Sequence, residues 1–237
     1  MKVGVIGSTG AIGTAFIKRL LAAHADIEIH SFSSKKQRPA THVIHHQIDY
    51  NCEDSIKAAA QQAYSDRGFD MVLVTTGLLH NGDALQPEKS LRDLSAEKFQ
   101  TVFQANSILP ALVAKHFLPL LRTDKRAVFA ALSARVGSIS DNRLGGWYAY
   151  RASKAALNMI LKNAAIEMAR RHKKVIILGL HPGTVDSDLS DPFQSNVQEG
   201  KLFTPDYAAQ KLLHVIKNAS PNDSGKCLAW DGQEVEP

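Results

Sequence analysis

Tyr150 and Lys154 are the residues of this sequence whose types and spacing could move a proton. A phenol and an amine four residues apart lie on one face of a helix. A free tyrosine has a pKa of about 10, too high for proton transfer near neutrality, and a nearby ammonium lowers it by favouring the phenolate. The pair therefore predicts a general acid or base whose pKa is lowered by the lysine.

The same spacing recurs at Tyr207 and Lys211, so the surrounding sequence has to distinguish the two pairs. Upstream of Tyr150, the apolar run at residues 127–132 indicates a buried strand, and a loop bearing glycine and serine follows it. Nothing comparable precedes Tyr207. We interpret the first pair as catalytic and the second as part of an ordinary helix surface.

Length and composition bound the class of protein. A chain of 237 residues with 44% hydrophobic residues suits one domain of the larger α/β kind, which can bury a core and a ligand crevice. The first residues begin a strand without a signal peptide, and no apolar run reaches the roughly eighteen residues that span a bilayer. We therefore expect a soluble cytoplasmic protein with no membrane partner.

The cysteines and histidines form no disulfide or metal pattern. Cys52 and Cys227 are too few for a disulfide framework and lack metal-ligand spacing, so we interpret both as reduced thiols. His45 and His46 lie in a strand-like run, and we interpret them as structural rather than metal-binding. The sequence therefore predicts no metal.

The net charge of +5 could indicate a nucleic-acid partner, but the distribution of the basic residues argues against one. One cluster, at residues 35–38, follows the second predicted strand. The other, at residues 170–174, closes a long predicted helix, where the helix dipole favours cations. We predict no nucleic-acid binding.

Three glycines near the N-terminus predict a phosphate-binding turn. A short apolar strand at residues 2–6 runs into Gly7, Gly10 and Gly13, and an amphipathic segment follows at residues 14–24. Glycine lets the backbone turn tightly and approach a pyrophosphate, whose charge is held by amide donors at the helix N-terminus. The order strand, glycine turn, helix is the context that gives the motif its meaning.

Strands and helices alternate along the rest of the chain. Predicted strands lie at residues 27–31, 42–48, 71–74, 127–132, 175–180 and 226–232, and predicted helices at 54–64, 95–121, 148–171 and from 204 onward. Such alternation predicts a three-layer, doubly wound parallel α/β sheet of about seven strands in a single domain spanning residues 1–237. Because ligands bind outside the carboxyl ends of such strands, we expect the substrate pocket in loops 78–94, 138–147 and 186–202.

Several motifs, taken together and in order, resemble the short-chain dehydrogenase/reductase family over nearly the whole chain. They are the glycine turn, Asp49, Gly77, Asn106, the serines at the end of the fifth strand, Tyr150-x-x-x-Lys154 and Pro182-Gly183. The run at residues 145–158 further resembles the family's carbonyl-reductase-like branch, the sniffer and C-factor group. The resemblance implies a Rossmann-type fold, a nicotinamide cofactor, hydride transfer to or from a small carbonyl or alcohol substrate, and a homodimer or homotetramer.

The resemblance also implies roles for individual residues. Tyr150 would be the acid or base, Lys154 would lower its pKa and hold the nicotinamide ribose, and Asn106 would anchor a water in the proton relay. The cofactor would be bound by Gly7, Thr9, Gly10, Ala11, Ile12 and Gly13 at its phosphates, by Asp49 and Tyr50 at its adenine, by Gly77, and by Pro182, Gly183, Thr184, Val185 and Ser187 around its nicotinamide.

The sequence departs from the family pattern at two strand ends. Val74-Thr75-Thr76-Gly77 stands where the family has Asn-Asn-Ala-Gly, which removes amide side chains that tie strands together. The family's serine stands three residues before a glycine, and counting back from Gly137 leads to Ala134. The expected catalytic serine is therefore missing from its usual position.

Two neighbouring serines could replace the missing one. Ser133 lies at the strand end, one residue earlier, so in an extended backbone its side chain would face the other way. Ser138 lies twelve residues before Tyr150, in a loop that is free to re-aim it. We favour Ser138 and keep Ser133 as the alternative.

The end of the second predicted strand indicates the choice of cofactor. An acidic residue there would hydrogen-bond the adenosine ribose of NAD and repel the extra phosphate of NADP. Residues 29–36 contain no carboxylate, whereas Ser33 and Ser34 can donate hydrogen bonds to a phosphate and Lys35 or Lys36 can neutralise it. The sequence therefore predicts NADP (NADPH) as the cofactor. The alternative is that these lysines lie on a surface loop and do not bind the cofactor.

The leading function is an NADP-dependent carbonyl reductase of small substrates. The second hypothesis is a dinucleotide-binding regulatory or signalling protein on the same fold, because a fold does not settle function. Intact Tyr150, Lys154 and Asn106 favour the enzyme, since a sensor has no need of them.

Overall fold

One parallel sheet organises the fold. The computed structural model describes residues 1–37 and 40–237, so Arg38, the last member of the basic cluster at 35–38, lies outside the described residues. The strands are β1 Lys2–Ile6, β2 Glu28–Ser33, β3 Val43–Gln47, β4 Met71–Val74, β5 Ala127–Leu132, β6 Val175–His181, β7 Thr184–Val185, β8 Leu202–Phe203 and β9 Lys226–Ala229. Seven of them form a parallel sheet in the order β3-β2-β1-β4-β5-β6-β9, and β7 and β8 form a separate pair.

Helices cover both faces of this sheet. They are α1 Ala11–Ala23, α2 Glu53–Gln62, α3 Ala96–Phe103, α4 Leu109–Phe117, α5 Tyr148–Ala169 and α6 Pro205–Asn218. On one face, Phe16 of α1 and Leu212 of α6 are buried in a common core. On the other face, Ile56 of α2, Phe117 of α4 and Leu157 of α5 are buried together. Because both faces are covered, the central strands are apolar throughout, and the predicted three-layer fold is confirmed.

The order of the strands reverses next to β1. From β1 the chain goes outward to β2 and β3, and it then crosses to β4 on the other side of β1. In the register, Ile6 pairs with Phe32 of β2 and with Val74 of β4. Loops that follow β1 and β4 therefore diverge at the carboxyl edge, which opens a crevice where sheets of this kind bind ligands.

Two helix boundaries differ from the sequence-based predictions. α1 begins at Ala11 rather than at residue 14, because Gly10 already provides its extended N-cap. The single helix predicted over 95–121 is interrupted by a π-helical segment, Gln104–Ile108. Pro110 has no N–H to donate to the Asn106 carbonyl, so the regular α-helical ladder cannot continue through this point.

A buried chain of polar side chains lies between β2 and β3. His30 Nδ1 is 2.9 Å from His46 Nε2, and His30 Nε2 is 2.7 Å from Glu28 Oε1. Burial, reinforced by the neighbouring His30, lowers the pKa of His46 to about 4. Within residues 1–37 and 40–237, no three histidine, cysteine or acidic side chains are grouped so that they could hold a metal ion.

Cys52 is exposed, Cys227 is buried, and both are free thiols. The described part of the chain contains no helix that is long and apolar enough to cross a membrane.

Candidate active site

The glycine turn sits against the end of β4. Gly7 has a φ of +84°, and a Cβ on it would lie 2.8 Å from Thr75 Oγ1. A Cβ on Gly13 would overlap the Gly7 carbonyl oxygen and lie 2.8 Å from the same hydroxyl. Both positions therefore require glycine, one for its backbone conformation and both for close packing.

Thr75 corrects one sequence-based interpretation. The change from Asn-Asn to Val74-Thr75 is predicted to remove side chains that tie strands together. The Thr75 hydroxyl nevertheless lies 2.8 Å from the Ile6 carbonyl and 3.0 Å from the Gly7 carbonyl. A shorter side chain thus provides a tie between β4 and the glycine turn.

A cavity of about 760 Å³ lies at the carboxyl ends of β1 and β4. Its walls are Gly7, Thr9, Gly10, Tyr50, Asn51, Thr75, Thr76, Gly77, Leu78, Gln100, Thr101, Gln104, Ala105 and Leu109. The volume is within the range of cofactor and small-molecule sites. Beside it, the buried Thr76 hydroxyl has no hydrogen-bond partner among the described residues. Such a group suits a polar ligand.

Five of the predicted cofactor residues line this cavity, namely Gly7, Thr9, Gly10, Tyr50 and Gly77. The Tyr50 hydroxyl accepts a hydrogen bond from the Gly7 N–H at 3.1 Å and donates to the Phe32 carbonyl at 3.2 Å. Burial raises the pKa of Tyr50 to about 12. Tyr50 thereby braces the turn as a neutral hydroxyl.

Other predicted cofactor residues are not part of the cavity wall. Ala11, Ile12 and Gly13 form the first turn of α1, and Pro182, Gly183, Thr184, Val185 and Ser187 follow β6. The exposed Asp49 carboxylate accepts the Asn51 N–H. The Ser33 hydroxyl donates to the Lys35 carbonyl at 2.6 Å, whereas Ser34 and Lys35 are exposed. Ser33 thus shapes the loop, and its hydroxyl is already engaged.

Tyr150 and Lys154 lie side by side on the buried face of α5. They are 9% and 3% exposed, and Lys154 Nζ lies 5.7 Å from the centre of the Tyr150 ring. The ammonium donates a hydrogen bond to the Leu132 carbonyl at 2.9 Å, at the end of β5. The strand end and the helix together therefore fix where the lysine points.

Burial shifts the pKa of each of these groups in the direction that favours its neutral form. It raises the pKa of Tyr150 to about 12 and lowers that of Lys154 to about 8. Burial is the cause of the Tyr150 shift, and the lowering of its pKa by Lys154 stays a prediction.

The pair Tyr207 and Lys211 has nearly the same local geometry. Lys211 Nζ lies 5.4 Å from the centre of the Tyr207 ring. Both residues are only half-buried on α6. Depth of burial and the strand end beside Lys154 therefore distinguish the two pairs, and the helical spacing does not.

Asn106 ties the loop after β4 to α5. This fully buried side chain accepts the Leu78 N–H and donates to the Leu78 carbonyl, both at 2.8 Å. Its amide also donates to the Ser153 hydroxyl at 3.1 Å, between Tyr150 and Lys154 in the sequence. Asn106 lies in the π-helical segment, a feature that is frequent at functional sites.

Within the described residues, neither candidate serine makes a hydrogen bond to Tyr150. The Ser133 hydroxyl donates to Asn158 Oδ1 at 2.6 Å. Ser138 accepts the Asp141 N–H at 3.0 Å and lies 3.4 Å from the Pro237 carbonyl oxygen. Ala134 and Val136 are the residues of this segment that pack in the apolar cluster around Tyr150. The preference for Ser138 therefore has no support in the geometry.

An apolar cover closes over Tyr150. The Trp147 ring meets the Tyr150 ring edge-on at 6.2 Å and the Phe193 ring at 4.9 Å. Leu189 belongs to the same cluster, and its Cδ1 would be 3.6 Å from a Cβ on Gly77. Phe193 and Leu189 belong to the predicted loop 186–202, which thus packs against the predicted catalytic residues.

Sequence reasoning missed three further residues near this site. Glu88 is buried and contacts the first turn of α5, although nothing in its loop sequence distinguishes it. Trp147 is the N-cap of α5 and has a left-handed conformation. The two glycines that precede it could have indicated this turn. His181 precedes Pro182, and burial lowers its pKa to about 4. Its Nδ1 has no partner among the described residues.

A parallel sheet with a glycine turn at its switch point and a buried tyrosine and lysine at its carboxyl edge defines a Rossmann-type nucleotide-binding protein. A family model described as short chain dehydrogenase matches residues 2–198. The chain belongs to the short-chain dehydrogenase family.

Three known proteins illustrate the similarity. The C-signal protein of Myxococcus xanthus is 33% identical over 146 residues, covering 62% of this chain and 82% of its own. The NADPH-bound carbonyl reductase from chicken fatty liver superposes with a TM-score of 0.83 at 23% identity, covering 100% of this chain and 98% of its own. The carbonyl reductase Sniffer of D. melanogaster superposes with a TM-score of 0.85 at 19% identity, covering 100% and 99%. The predicted family and fold are thus confirmed.

Proposed function

We propose that this protein is an NADPH-dependent oxidoreductase that reduces a small carbonyl compound to an alcohol. The observation that carries the proposal is the buried pair Tyr150 and Lys154, whose lysine is held at the carboxyl edge of the sheet by Leu132 and lies 3.9 Å from the position of a Cβ on Gly77, in the wall of the cavity. The solved carbonyl reductase with NADPH supports the same assignment.

The described residues fit a dinucleotide. Gly7 and Gly13 leave the turn free of side chains, and the first turn of α1 offers amide donors to a pyrophosphate. Thr76 has a hydroxyl free for a ligand, and Lys154 would meet the nicotinamide ribose. When bound, the nicotinamide supplies the hydride.

Tyr150 would act as the acid. Because burial raises its pKa to about 12, its phenol carries the proton at neutral pH and can donate it to the substrate oxygen as hydride reaches the carbonyl carbon. The phenolate that remains would be stabilised by the Lys154 ammonium. Asn106 would hold the loop after β4 against α5 and keep the two catalytic side chains in register.

We assign no catalytic hydroxyl to Ser133, which donates its proton to Asn158, and none to Ser138, which is held in its loop by the Asp141 N–H. Tyr150 is then the single hydroxyl that meets the substrate oxygen. Ala134 forms part of the apolar wall beside it.

NADPH is favoured over NADH by the residues after β2. Ser34 and Lys35 are exposed, and no carboxylate occurs between residues 29 and 36. These two residues could therefore meet the additional phosphate, while the Ser33 hydroxyl keeps its loop in shape.

The direct test follows NADPH oxidation with a panel of aldehydes, ketones and quinones. We expect turnover by the wild-type protein, none by Tyr150→Phe, and wild-type turnover by the matched control Tyr207→Phe. Loss of the Tyr150 hydroxyl should change cofactor affinity by no more than a few-fold, since the proton matters to chemistry rather than to binding. Equal turnover by Tyr150→Phe and wild type would refute the assignment.

The apolar cover over Tyr150 and the similarity to the C-signal protein favour one second candidate, a dinucleotide-binding regulatory protein. This candidate predicts saturable NADPH binding by titration with no oxidation by any member of the panel. The same two measurements therefore separate the candidates.

We also propose that the chain forms a homo-oligomer through the outer face of α5. Met159 and Ile166 are 61% and 49% exposed on this helix, although both side chains are apolar. Sedimentation of the wild type should show a dimer or tetramer, and Met159→Lys should shift it towards the monomer.

A further inference from the structure

We propose that Glu88 is a positioning residue, which fixes the start of α5 and the orientation of Trp147 beside Tyr150. The expected effect of Glu88 on turnover rests on the proposed function, whereas its effect on the position of Trp147 does not. Glu88 lies in the loop between β4 and α3, far from α5 in the sequence.

Two hydrogen bonds join Glu88 to the beginning of α5. Its carboxylate Oε2 accepts the Ala149 N–H at 3.2 Å, and its main-chain carbonyl accepts the Trp147 N–H. The first N–H groups of a helix have no partner within the helix. Trp147, at the N-cap position, has no side-chain acceptor to offer. Glu88 therefore supplies from another segment the cap that α5 lacks.

The location of the carboxylate suits this role. Glu88 is only 3% exposed, so its side chain is held in place rather than free in solvent. Negative charge is stabilising at the N-terminus of a helix, where the unpaired N–H groups carry partial positive charge. A hydrogen-bond acceptor at this place satisfies an N–H group that the helix itself leaves without a partner.

The turn that Glu88 holds is conformationally demanding. Gly145, Gly146 and Trp147 have φ values of +63°, +64° and +50°, so three successive residues are left-handed. Glycine adopts this conformation freely, but tryptophan does so only when its surroundings fix it. The carbonyl of Glu88 would lie 3.4 Å from a Cβ on Gly146. Glycine is therefore favoured at position 146 by its positive φ, and the Glu88 carbonyl lies at contact distance from it.

The orientation of Trp147 matters because its ring contacts both Tyr150 and Phe193. A shift at the start of α5 would move this ring and the hydroxyl of Tyr150 together. Glu88 makes no recorded contact with Tyr150 itself. It acts through the helix start, and so we describe it as a positioning residue.

Fluorescence tests the structural part without any substrate. The chain has two tryptophans, so in a Trp230→Phe background the emission comes from Trp147 alone. We expect Glu88→Ala to shift this emission to longer wavelength, as the ring loses its packing and meets water. Glu88→Gln keeps an acceptor for the Ala149 N–H and should shift it little. The matched control is Glu97→Ala, an exposed acid in the first turn of α3.

Kinetics tests the consequence in the otherwise wild-type protein. We expect Glu88→Ala to lower kcat about tenfold while the KM for NADPH stays within about twofold, and Glu88→Gln to recover most of kcat. The Glu97→Ala control should match the wild type in both measurements. The proposal would be supported if these kinetic results are obtained and if the variants with the larger shift in Trp147 emission also have the lower kcat.

Three outcomes would overturn it. The first is unchanged Trp147 emission in Glu88→Ala. The second is a loss in Glu88→Gln as large as that in Glu88→Ala, which would exclude a role as a hydrogen-bond acceptor. The third is a proportional rise in the KM for NADPH, which would indicate general loosening. If no substrate is turned over, the proposed function fails, but the emission of the Glu88 variants still decides the positioning role.

Discussion

The Lys154 ammonium lies 5.7 Å from the centre of the Tyr150 ring and donates its hydrogen bond to the Leu132 carbonyl. The lysine is therefore anchored to the end of β5 rather than to the phenol. In this arrangement burial opposes ionisation of both side chains, with a pKa of about 12 for Tyr150 and about 8 for Lys154. A protonated phenol beside a lysine that is easily deprotonated suits carbonyl reduction better than alcohol oxidation.

Replacing Lys154 by alanine should affect both binding and turnover. We expect kcat to fall about a hundredfold, because the phenolate formed on proton transfer loses its stabilising charge. NADPH affinity should fall several-fold as the contact with the ribose is lost. Since burial lowers the pKa of Lys154 to about 8, wild-type reduction should slow as the pH rises through that value. A kcat profile from pH 6 to 10 should show this decline in the wild type and not in Lys154→Ala.

Restoring a serine at position 134 should increase activity. Ala134 packs beside Tyr150, so Ala134→Ser would place a second hydrogen-bond donor near the substrate oxygen and raise kcat by up to about tenfold. Ser133→Ala and Ser138→Ala are the comparison variants, and each should retain kcat within about threefold. A larger loss in Ser138→Ala than in the other variants would return the catalytic role to that hydroxyl.

The choice of cofactor should depend on charge after β2. We expect the wild type to bind NADPH about tenfold more tightly than NADH at low ionic strength, and the difference to shrink as salt is added. Replacing Lys35 and Lys36 together by alanine should remove most of the preference without weakening NADH. Titration of both cofactors with wild type and double variant checks this, and tighter binding of NADH by the wild type would contradict it.

His46 should make the fold sensitive to acid. Burial lowers its pKa from 6.5 to about 4, so between these values the unfolded chain binds the proton more readily than the folded one. Above pH 6.5, His46 should therefore make the free energy of unfolding no different from one pH to another. Below pH 6.5 the contribution of His46 should reduce this free energy, by up to about 3 kcal/mol at pH 4.

Urea unfolding at pH 7 and pH 5 measures this effect. His46→Phe should lower stability at both pH values, because His30 loses its partner, but should show a smaller difference between them. His24→Gln, at an exposed position, should keep the full wild-type difference. A His46→Phe variant that keeps the full pH difference would show that other groups cause the acid sensitivity.

Local patterns in the sequence were sufficient to predict the strands of the fold and the glycine turn. Apolar runs such as residues 127–132 predicted buried strands, and Gly7, Gly10 and Gly13 predicted the turn at the switch point, because these features depend on neighbours in the chain. The catalytic spacing in α5 followed from helical periodicity alone. Tyr207 and Lys211 have the same spacing in the sequence and nearly the same distance between the lysine Nζ and the centre of the tyrosine ring.

What the sequence did not provide depends on contacts between distant segments. Glu88 reaches α5 from another loop, and Thr75 ties β4 to a turn far from it in the chain. The shifts of the Tyr150 and Lys154 pKa values depend on how deeply α5 is covered, which no local pattern records. The orientation of Ser133 likewise depends on a distant partner, Asn158 of α5.

The position of Leu189 has a consequence for kinetics. Its Cδ1 would be 3.6 Å from a Cβ on Gly77, and the Lys154 ammonium would be 3.9 Å from the same point, so the loop side chain and the lysine both approach the cavity wall at Gly77. We expect a dinucleotide that reaches Lys154 along this wall to move Leu189 and, with it, the cover over Tyr150. Addition should therefore be ordered, with NADPH first. NADP+ should inhibit competitively against NADPH, whereas an alcohol product should give mixed inhibition against both NADPH and the carbonyl substrate.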